Sequence, residues 1–223
     1  MHDASRADYS QDWFDHNIRN WRDWIGHLAG KPGLRALEIG SFEGRSTVWL
    51  CDHILTAPDA SIHCLDLFAH HPEHGDYHHR FRLNTARFGA KVTAHIGTSF
   101  DSLCRIDGQF DLIYIDGYHS AFAALCDGAM SWPRLKVGGI MIFDDYLWSP
   151  PGVASRRRTL AGRWLGRAAA HRRHVARRAT ETPMLGVDGL LATLQGQFEV
   201  IGAGYQKAVR KTASLPQGDA GVG

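Results

Sequence analysis

Three aspartates that could hold a metal ion follow two apolar stretches in the second half of the chain. Asp116 ends the stretch FDLIYID, and Asp144 and Asp145 end the stretch GGIMIFDD. Both stretches are predicted strands, and the carboxyl ends of parallel strands share the sheet edge where ligands bind. Carboxylate oxygens suit Mg²⁺, so this spacing indicates a divalent-cation site. The alternative is that each aspartate caps a following helix.

A histidine, His119, lies three residues after Asp116 and could act as a general base. With a reference pKa of about 6.5, an imidazole can accept a proton from a hydroxyl near neutral pH. A bound cation would lower the pKa of that hydroxyl and fix its direction. The alternatives are that His119 binds backbone at a helix start or is a fourth metal ligand.

A turn with two glycines follows the first predicted strand and reads Glu38-Ile-Gly40-Ser-Phe-Glu-Gly44-Arg-Ser46. Glycines at a strand exit let the backbone approach a ligand closely. A dinucleotide-binding turn would read GxGxxG, but Phe42 occupies the place of its middle glycine. This difference argues against a nicotinamide-dependent oxidoreductase. Asp66, at the end of the second predicted strand, can bind ribose hydroxyls or cap a helix.

The hydrophobic pattern predicts the elements that position these residues. Helical spacing from Phe14 to Leu28 predicts an amphipathic helix, and apolar strands then alternate with helices. This alternation predicts a doubly wound, mostly parallel α/β sheet. The stretches FEVIGAG and YQKAVRK predict a closing hairpin. The predicted strands before it are Leu34–Gly40, Ser61–Phe68, Lys91–Gly97, Phe110–Asp116 and Val137–Asp145, and the predicted helices are Arg45–Leu55, His79–Phe88, Ser99–Leu103, Ser120–Trp132 and Val187–Gln195.

The 223 residues fit one sizeable domain with appendages. We expect an N-terminal helical segment over residues 1–30, a main domain over residues 31–212 and a disordered tail over residues 213–223. A basic helical insertion is expected at residues 150–182, with nine arginines between Arg156 and Arg178. The rest of the chain has 16 basic residues against 23 acidic ones. The insertion could bind an anionic acceptor, RNA or a membrane, or form a solvated or oligomer-contact face.

The cysteines and the histidine-rich loop carry no predicted metal site. The four cysteines lack CxxC spacing and read as buried free thiols of a cytoplasmic protein. Consecutive histidines splay apart, so a solvated loop is favoured over a zinc site. No apolar run is long enough to cross a bilayer, and the polar N-terminus is no secretory signal. The loop histidines are His70, His71, His74, His78 and His79.

The turn EIGSFEGRS and the stretches DLIYIDGYHS and LKVGGIMIFDDY together resemble class I S-adenosylmethionine-dependent methyltransferases. They resemble most the small-molecule O-methyltransferases that include catechol O-methyltransferase and the macrocin-type enzymes acting on antibiotic sugars. The resemblance covers Leu34–Tyr146 well and the terminal hairpin loosely. It implies a seven-stranded sheet whose last strand is antiparallel.

The resemblance also implies site residues. In this family the glycine turn holds the methionine end of the cofactor, the second strand's acid binds ribose, and the third strand's end contacts adenine. Metal-dependent members hold Mg²⁺ with residues that map onto Asp116, Asp144 and Asp145. This chain has His119 where the catechol enzymes place a lysine base, so His119 and Asp116 are the implied catalytic residues. The implied cofactor-binding residues are Glu38, Gly40, Ser41, Gly44, Ser46, Asp66, Ser99 and Asp116.

Together these features predict a cytoplasmic, Mg²⁺-dependent O-methyltransferase that acts on a hydroxyl of a small molecule. A sugar-containing natural product or a glycan precursor is the expected acceptor, and a homo-oligomer is possible. A nucleic-acid acceptor is less favoured, because the chain lacks an Asn-Pro-Pro-Tyr type signature. The alternatives are an NAD(P)-dependent oxidoreductase and a non-catalytic cofactor-binding module that uses its arginine segment. The non-catalytic module is disfavoured, because a protein without catalysis has no need to keep three carboxylates that repel one another.

Overall fold

One seven-stranded sheet organises the protein in a computed structural model that describes residues 7–70, 72–148 and 182–214. The strand order is β3-β2-β1-β4-β5-β7-β6. Strands β1 to β5 run parallel, and β7 pairs antiparallel with both β5 and β6. The strands are β1 (Arg35–Ile39), β2 (Ser61–Asp66), β3 (Val92–Ile96), β4 (Phe110–Ile115), β5 (Leu135–Phe143), β6 (Phe198–Ala203) and β7 (Lys207–Lys211). The predicted α/β sheet is confirmed, including its antiparallel last strand.

The helices follow the predicted alternation. They are α1 (Ile18–Ile25), α2 (Arg45–His53), α3 (Tyr77–Thr85), α4 (Ser99–Leu103), α5 (Ala121–Ser131) and α6 (Pro183–Thr193). Short 3-10 turns, Asp15–Asn17 and Gly26–Leu28, extend α1 at both ends, so the predicted N-terminal helix is confirmed. Helix α6 begins four residues before the predicted Val187, because a proline in the first helical turn loses no hydrogen bond.

Helices pack on both faces of the sheet, because alternate residues of each strand point to opposite faces. On β4, Leu112 and Tyr114 join a core that α1, α2 and α3 cover. Ile113 and Ile115 join a second core that α4, α5 and α6 cover. The carboxyl ends of β1, β2, β4 and β5 therefore meet at one edge, between the two helical layers.

Two cysteines differ from expectation. Cys51 and Cys64 are buried free thiols, as predicted, but Cys104 is exposed and Cys126 is partly exposed. Cys104 follows the short helix α4, where Leu103 takes the buried position. In the described part of the chain, no helix has the length and apolarity to span a membrane. The basic insertion predicted at residues 150–182 lies almost entirely outside the described residues, as does the tail beyond residue 214.

Candidate functional site

The glycine turn after β1 touches the end of β4. Gly40 has φ +85°, and a Cβ atom there would lie 1.8 Å from the carbonyl oxygen of Asp116. Only glycine fits such a close approach with a positive φ. Gly44, with φ +82°, is the residue before α2, and a Cβ atom there would lie 3.0 Å from the Phe81 ring. The predicted cofactor turn and the predicted acidic edge are therefore direct neighbours.

Glu38 lies fully buried beneath this turn. Its carboxylate accepts hydrogen bonds from the hydroxyls of Ser46 and Thr47. Burial raises the pKa of Glu38, although these two hydrogen bonds act to lower it. The hydroxyl of Ser46, an implied cofactor-binding residue, is thus directed to Glu38. The backbone N–H groups at the start of α2 retain their preference for anions. Ser41 is also buried in the turn.

Asp66 joins the glycine turn to the end of β2. Its Oδ2 accepts from the Phe42 N–H at 2.9 Å, and its Oδ1 accepts from the Phe68 N–H at 2.9 Å and the Tyr77 hydroxyl at 3.1 Å. A carboxylate has about four acceptor positions, so capacity remains for a ribose hydroxyl. The helix-cap alternative is wrong for Asp66, because Asp76 caps the next helix, α3.

Ser99 lies at the start of α4, where adenine contacts were predicted. Ser99 is not the N-cap of α4, because the side chain of Thr98 accepts from the Asp101 N–H at 3.1 Å. Ser99 instead donates a hydrogen bond to Oδ1 of Asp127. Burial raises the pKa of Asp127, and the hydrogen bond from Ser99 acts to lower it. Sequence reasoning missed Asp127, whose only signal is one carboxylate inside the apolar helix α5.

The acidic edge holds all four predicted side chains, and three of them form a compact group. One ligand atom each of Asp116, His119 and Asp145 lies within 4.8 Å of the other two. Nδ1 of His119 is 2.9 Å from Oδ2 of Asp145, and the Tyr205 hydroxyl donates to the other oxygen of Asp145. The cap alternative is wrong for Asp116, because Ser120 caps α5.

Asp144 lies next to that group and lines the same pocket. Its Oδ2 accepts from the Tyr114 hydroxyl, and its Oδ1 accepts from the Asp145 N–H at 2.7 Å. The Tyr114 hydroxyl also lies 3.1 Å from Oδ2 of Asp116. Sequence reasoning missed Tyr114, which reads as an ordinary strand residue.

The acidic cluster concentrates charge in a partly buried place. Burial, together with the charges of Asp144 and Asp145, raises the pKa of Asp116 well above its ordinary range. Burial also raises the pKa of Asp144. Burial disfavours the charged forms of His119 and Asp145 too, but their mutual hydrogen bond raises the pKa of His119 and lowers that of Asp145.

The donor set fits a divalent cation. Carboxylate oxygens and an imidazole nitrogen are ligands that such cations accept, and a cation would relieve the repulsion between the carboxylates. A pocket opens beside this group, with helix α6 forming one wall. Its lining includes Asp116, Gly117, His119, Asp127, Asp144 and Val187.

Among the described residues, the histidine-rich loop holds no comparable group of cation ligands. The cluster at Asp116 is the one such group of three in the part of the chain that the structure describes. The His74 ring packs edge-on against Phe42, and the His78 ring stacks on Phe68. His79 donates its N–H to the Asp76 cap. These histidines therefore pack near the glycine turn and helix α3, and His71 lies outside the described residues.

Comparisons with known proteins agree with this geometry. Residues 37–146 match the family described as "Methyltransferase domain". No curated protein matches the sequence. An O-methyltransferase from Bacillus cereus, solved in complex with S-adenosylhomocysteine, has 16% identity and a TM-score of 0.59, covering 91% of this chain and 84% of that one.

Two further solved structures show how widely this fold is used. The O-methyltransferase TomG from Streptomyces achromogenes, involved in tomaymycin synthesis and solved with S-adenosylmethionine, has 16% identity and a TM-score of 0.53, covering 80% of this chain and 73% of that one. A provisionally named rRNA methylase from Clostridium thermocellum has 12% identity and a TM-score of 0.58, covering 89% and 97%. At such identities the structural likeness establishes the fold alone.

Proposed function

We propose that this chain, a class I methyltransferase by its matched domain and its fold, transfers a methyl group from S-adenosylmethionine to a hydroxyl of a small molecule. The observation that carries the proposal is the contact between the glycine turn and the end of β4. This contact sets a turn suited to the cofactor directly against a cluster of carboxylates suited to activating a hydroxyl. The four cysteines lack metal-binding spacing, and this supports the prediction of a cytoplasmic location. Assembly into a homo-oligomer also stays a prediction.

The cofactor would lie along the ends of β1, β2 and β3. Asp66 retains acceptor capacity for the ribose, and the α2 start favours the cofactor's carboxylate. When bound, S-adenosylmethionine supplies a methyl group on a sulfonium, whose in-line displacement depends mainly on positioning. The residues proposed to bind it are Glu38, Gly40, Ser41, Gly44, Ser46, Asp66, Ser99 and Asp116.

A divalent cation, proposed as Mg²⁺, would lie at the ends of β4 and β5. Asp116, Asp144 and Asp145 are the carboxylates available to hold it, and Asp116 and His119 are the residues proposed to act on the acceptor's proton. When bound, the cation lowers the pKa of a coordinated hydroxyl and fixes its direction. His119 has a second available role as a ligand, since its Nδ1 lies beside Asp145.

The acceptor is proposed to be a natural product or glycan precursor that carries neighbouring hydroxyls. A diol can replace two cation-bound waters, which Mg²⁺ usually keeps.

Methyl transfer in the presence and absence of a chelator tests the proposal. The full chain is incubated with methyl-labelled S-adenosylmethionine and, in separate reactions, a catechol, a glycosylated polyketide and RNA. We expect label in a hydroxyl acceptor, loss of transfer with EDTA, recovery with added Mg²⁺, and no transfer by Asp145→Asn. Methyl transfer at an unchanged rate in EDTA would reject the proposed role of the cation. Methyl transfer to RNA alone would reject the proposal of a small-molecule acceptor.

A further inference from the structure

We propose that strand β3 pairs antiparallel with β3 of a second copy of this chain, so that the two copies share one continuous sheet. The twofold axis passes beside Ala94, the central residue of the strand. The inference goes beyond the proposed function, because it concerns the outer edge of the sheet and uses none of the residues proposed to bind cofactor, cation or acceptor.

The outer side of β3 carries backbone groups that no strand pairs. Strand β3 stands first in the strand order, and among the described residues β2 is the one strand that pairs with it. The Gly97 N–H donates to the carbonyl oxygen of Asp66 at 2.9 Å, so Gly97 faces β2. Backbone groups of alternate residues point to opposite sides of a strand. The N–H and C=O groups of Val92, Ala94 and Ile96 therefore point away from the sheet.

Strand β3 lacks the features by which proteins prevent association at a sheet edge. Such edges are protected by charged side chains, prolines or bulges. The strand Val92–Ile96 contains no lysine, arginine, aspartate, glutamate or proline, and its register with β2 has no shift. The preceding residue, Lys91, is directed elsewhere, because its Nζ donates to the carbonyl oxygens of Leu55 and Ala57. The edge of β3 is therefore open to a further strand.

The opposite edge of the sheet, β6, has the protection that β3 lacks. The pairing of β6 with β7 shifts register between Val200 and Gly202. Glu199 places a charge on the strand and forms an ion pair with Arg210. A Cβ atom at Gly202 would lie 2.2 Å from the Trp24 ring, so helix α1 packs directly against β6. Of the two edges, β3 is the one suited to association.

The residues of β3 are complementary to the same strand in the reversed direction. With Ala94 on the axis, Val92 lies opposite Ile96 of the second copy. Thr93 lies opposite His95 of the second copy. Apolar side chains thus meet on one face, where Ile96 is 62% exposed in the single chain, and polar side chains meet on the other. This self-complementarity favours a second copy of the chain as the partner.

A groove between α3 and β3 leaves the apolar face of the strand accessible. Its lining includes Phe81, Leu83, Val92 and Ala94, and Leu83 is exposed. A second strand along β3 would cover part of this groove. Because a pair of five-residue strands is a small contact, we expect a weak dimer with a dissociation constant in the micromolar range.

Sedimentation velocity of the full chain over a range of concentrations tests the dimer. We expect the wild type to dimerise as its concentration rises, and Ala94→Lys to weaken the dimer by at least about tenfold, because two lysines would lie side by side at the axis. Val200→Lys, the matched change at an exposed position of β6, should leave the dimer unchanged. A wild type that stays monomeric would overturn the proposal, as would a dimer weakened by Val200→Lys but not by Ala94→Lys.

A mixture of two charge variants separates a direct contact from an effect on folding. Ala94→Lys and Ala94→Glu should each be monomeric alone, because like charges meet at the axis. An equimolar mixture of the two should dimerise, because opposite charges then meet there. A mixture that stays monomeric would contradict pairing at Ala94.

Amide hydrogen exchange of the wild type tests the register without any substitution. The N–H groups of Ala94 and Ile96 should exchange more slowly as the protein concentration rises, because they bond the second copy. The N–H groups of Thr93 and His95 face β2 and should be protected at every concentration. If the dimer forms without added protection at Ala94 and Ile96, its interface lies elsewhere and the inference is wrong.

Methyl transfer by the same samples separates this inference from the proposed function. A wild-type chain that transfers methyl groups but stays monomeric would reject the inference alone. A wild-type chain that dimerises through β3 but methylates no acceptor would reject the proposed function alone.

Discussion

A tyrosine hydroxyl bonds a strand-end carboxylate in each half of the site. Tyr77 donates to Asp66 on the cofactor side, and Tyr114 donates to Asp144 on the acidic side. Each bond adds to the backbone N–H groups that already hold the side chain at the end of its strand. A charge-assisted bond of this kind contributes about 1.5–3 kcal/mol, enough to select one rotamer. Both carboxylates of the candidate site therefore have fixed partners within the protein.

A histidine pair on the cofactor-side strands makes stability depend on pH. Nδ1 of His63 lies 2.9 Å from Nε2 of His95, and a guanidinium nitrogen of Arg35 lies 3.4 Å from the other nitrogen of His63. Burial, with His95 and Arg35 nearby, lowers the pKa of His63, and burial lowers that of His95. The unfolded chain therefore takes up protons first as the pH falls, and stability is lost below a pH of about 6.5.

We expect His95→Gln to reduce this loss, because the glutamine oxygen still accepts from His63 but cannot be protonated in this range. The measurement is the melting temperature at pH 7 and pH 5. The fall should be smaller in His95→Gln than in the wild type, and His53→Gln, at an exposed position, controls for losing one imidazole. If the melting temperature fell equally in the wild type and in His95→Gln, the histidine pair would not be the source of the pH dependence.

Residue types and strand ends were enough to predict where Asp66, Asp116 and Asp145 lie. Their hydrogen-bond partners were not predictable, because those depend on side chains from distant parts of the chain. Tyr205, which bonds Asp145, comes 60 residues later. Tyr114 reads as an apolar strand residue, since the sequence does not show that its hydroxyl ends beneath Asp144.

Helix α6 builds one wall of the pocket through a very close approach to α5. A Cβ atom at Gly186 would lie 1.8 Å from the carbonyl oxygen of Ala121. At Gly189, on the exposed side of the same helix, the nearest atom would be 3.8 Å away, on Leu125. Only the first glycine is required for packing.

We expect Gly186→Ala to destabilise the protein by about 1–3 kcal/mol, because α6 must move away from α5. Gly189→Ala should be neutral or stabilising by up to about 1 kcal/mol, since alanine favours helix over glycine. Urea unfolding of both variants gives the comparison. Equal effects of the two substitutions would contradict the close contact between the helices.

The order of the strands and helices was predictable from the sequence, but the residues at which they begin and end were less predictable. The alternation of apolar stretches and amphipathic spacing predicted every strand and helix among the described residues. The start of α6 was misplaced by four residues, because the sequence does not show that Pro183 lies in the first turn of this helix. The close approach at Gly186 depends on the facing helix, which spacing within α6 does not reveal.

At the scale of the whole molecule, the N-terminal segment is bonded to the glycine turn after β1. The Ser10 N–H donates to Oε2 of Glu43 at 2.6 Å, and Asn84 bonds the backbone of both Asp8 and Glu43. Trp21 of α1 is fully buried in the core. The sequence predicted a helix here but not these contacts, because they join positions more than 30 residues apart.

The central claim is that the edge formed by the ends of β1, β2 and β3 binds S-adenosylmethionine. Isothermal titration calorimetry of the full chain with S-adenosylmethionine and, separately, NAD tests it most directly. We predict one S-adenosylmethionine per chain at micromolar affinity, no binding of NAD, and at least about tenfold weaker binding by Asp66→Ala, which removes a charged hydrogen-bond acceptor. Binding of NAD without S-adenosylmethionine, or of neither, would contradict the account.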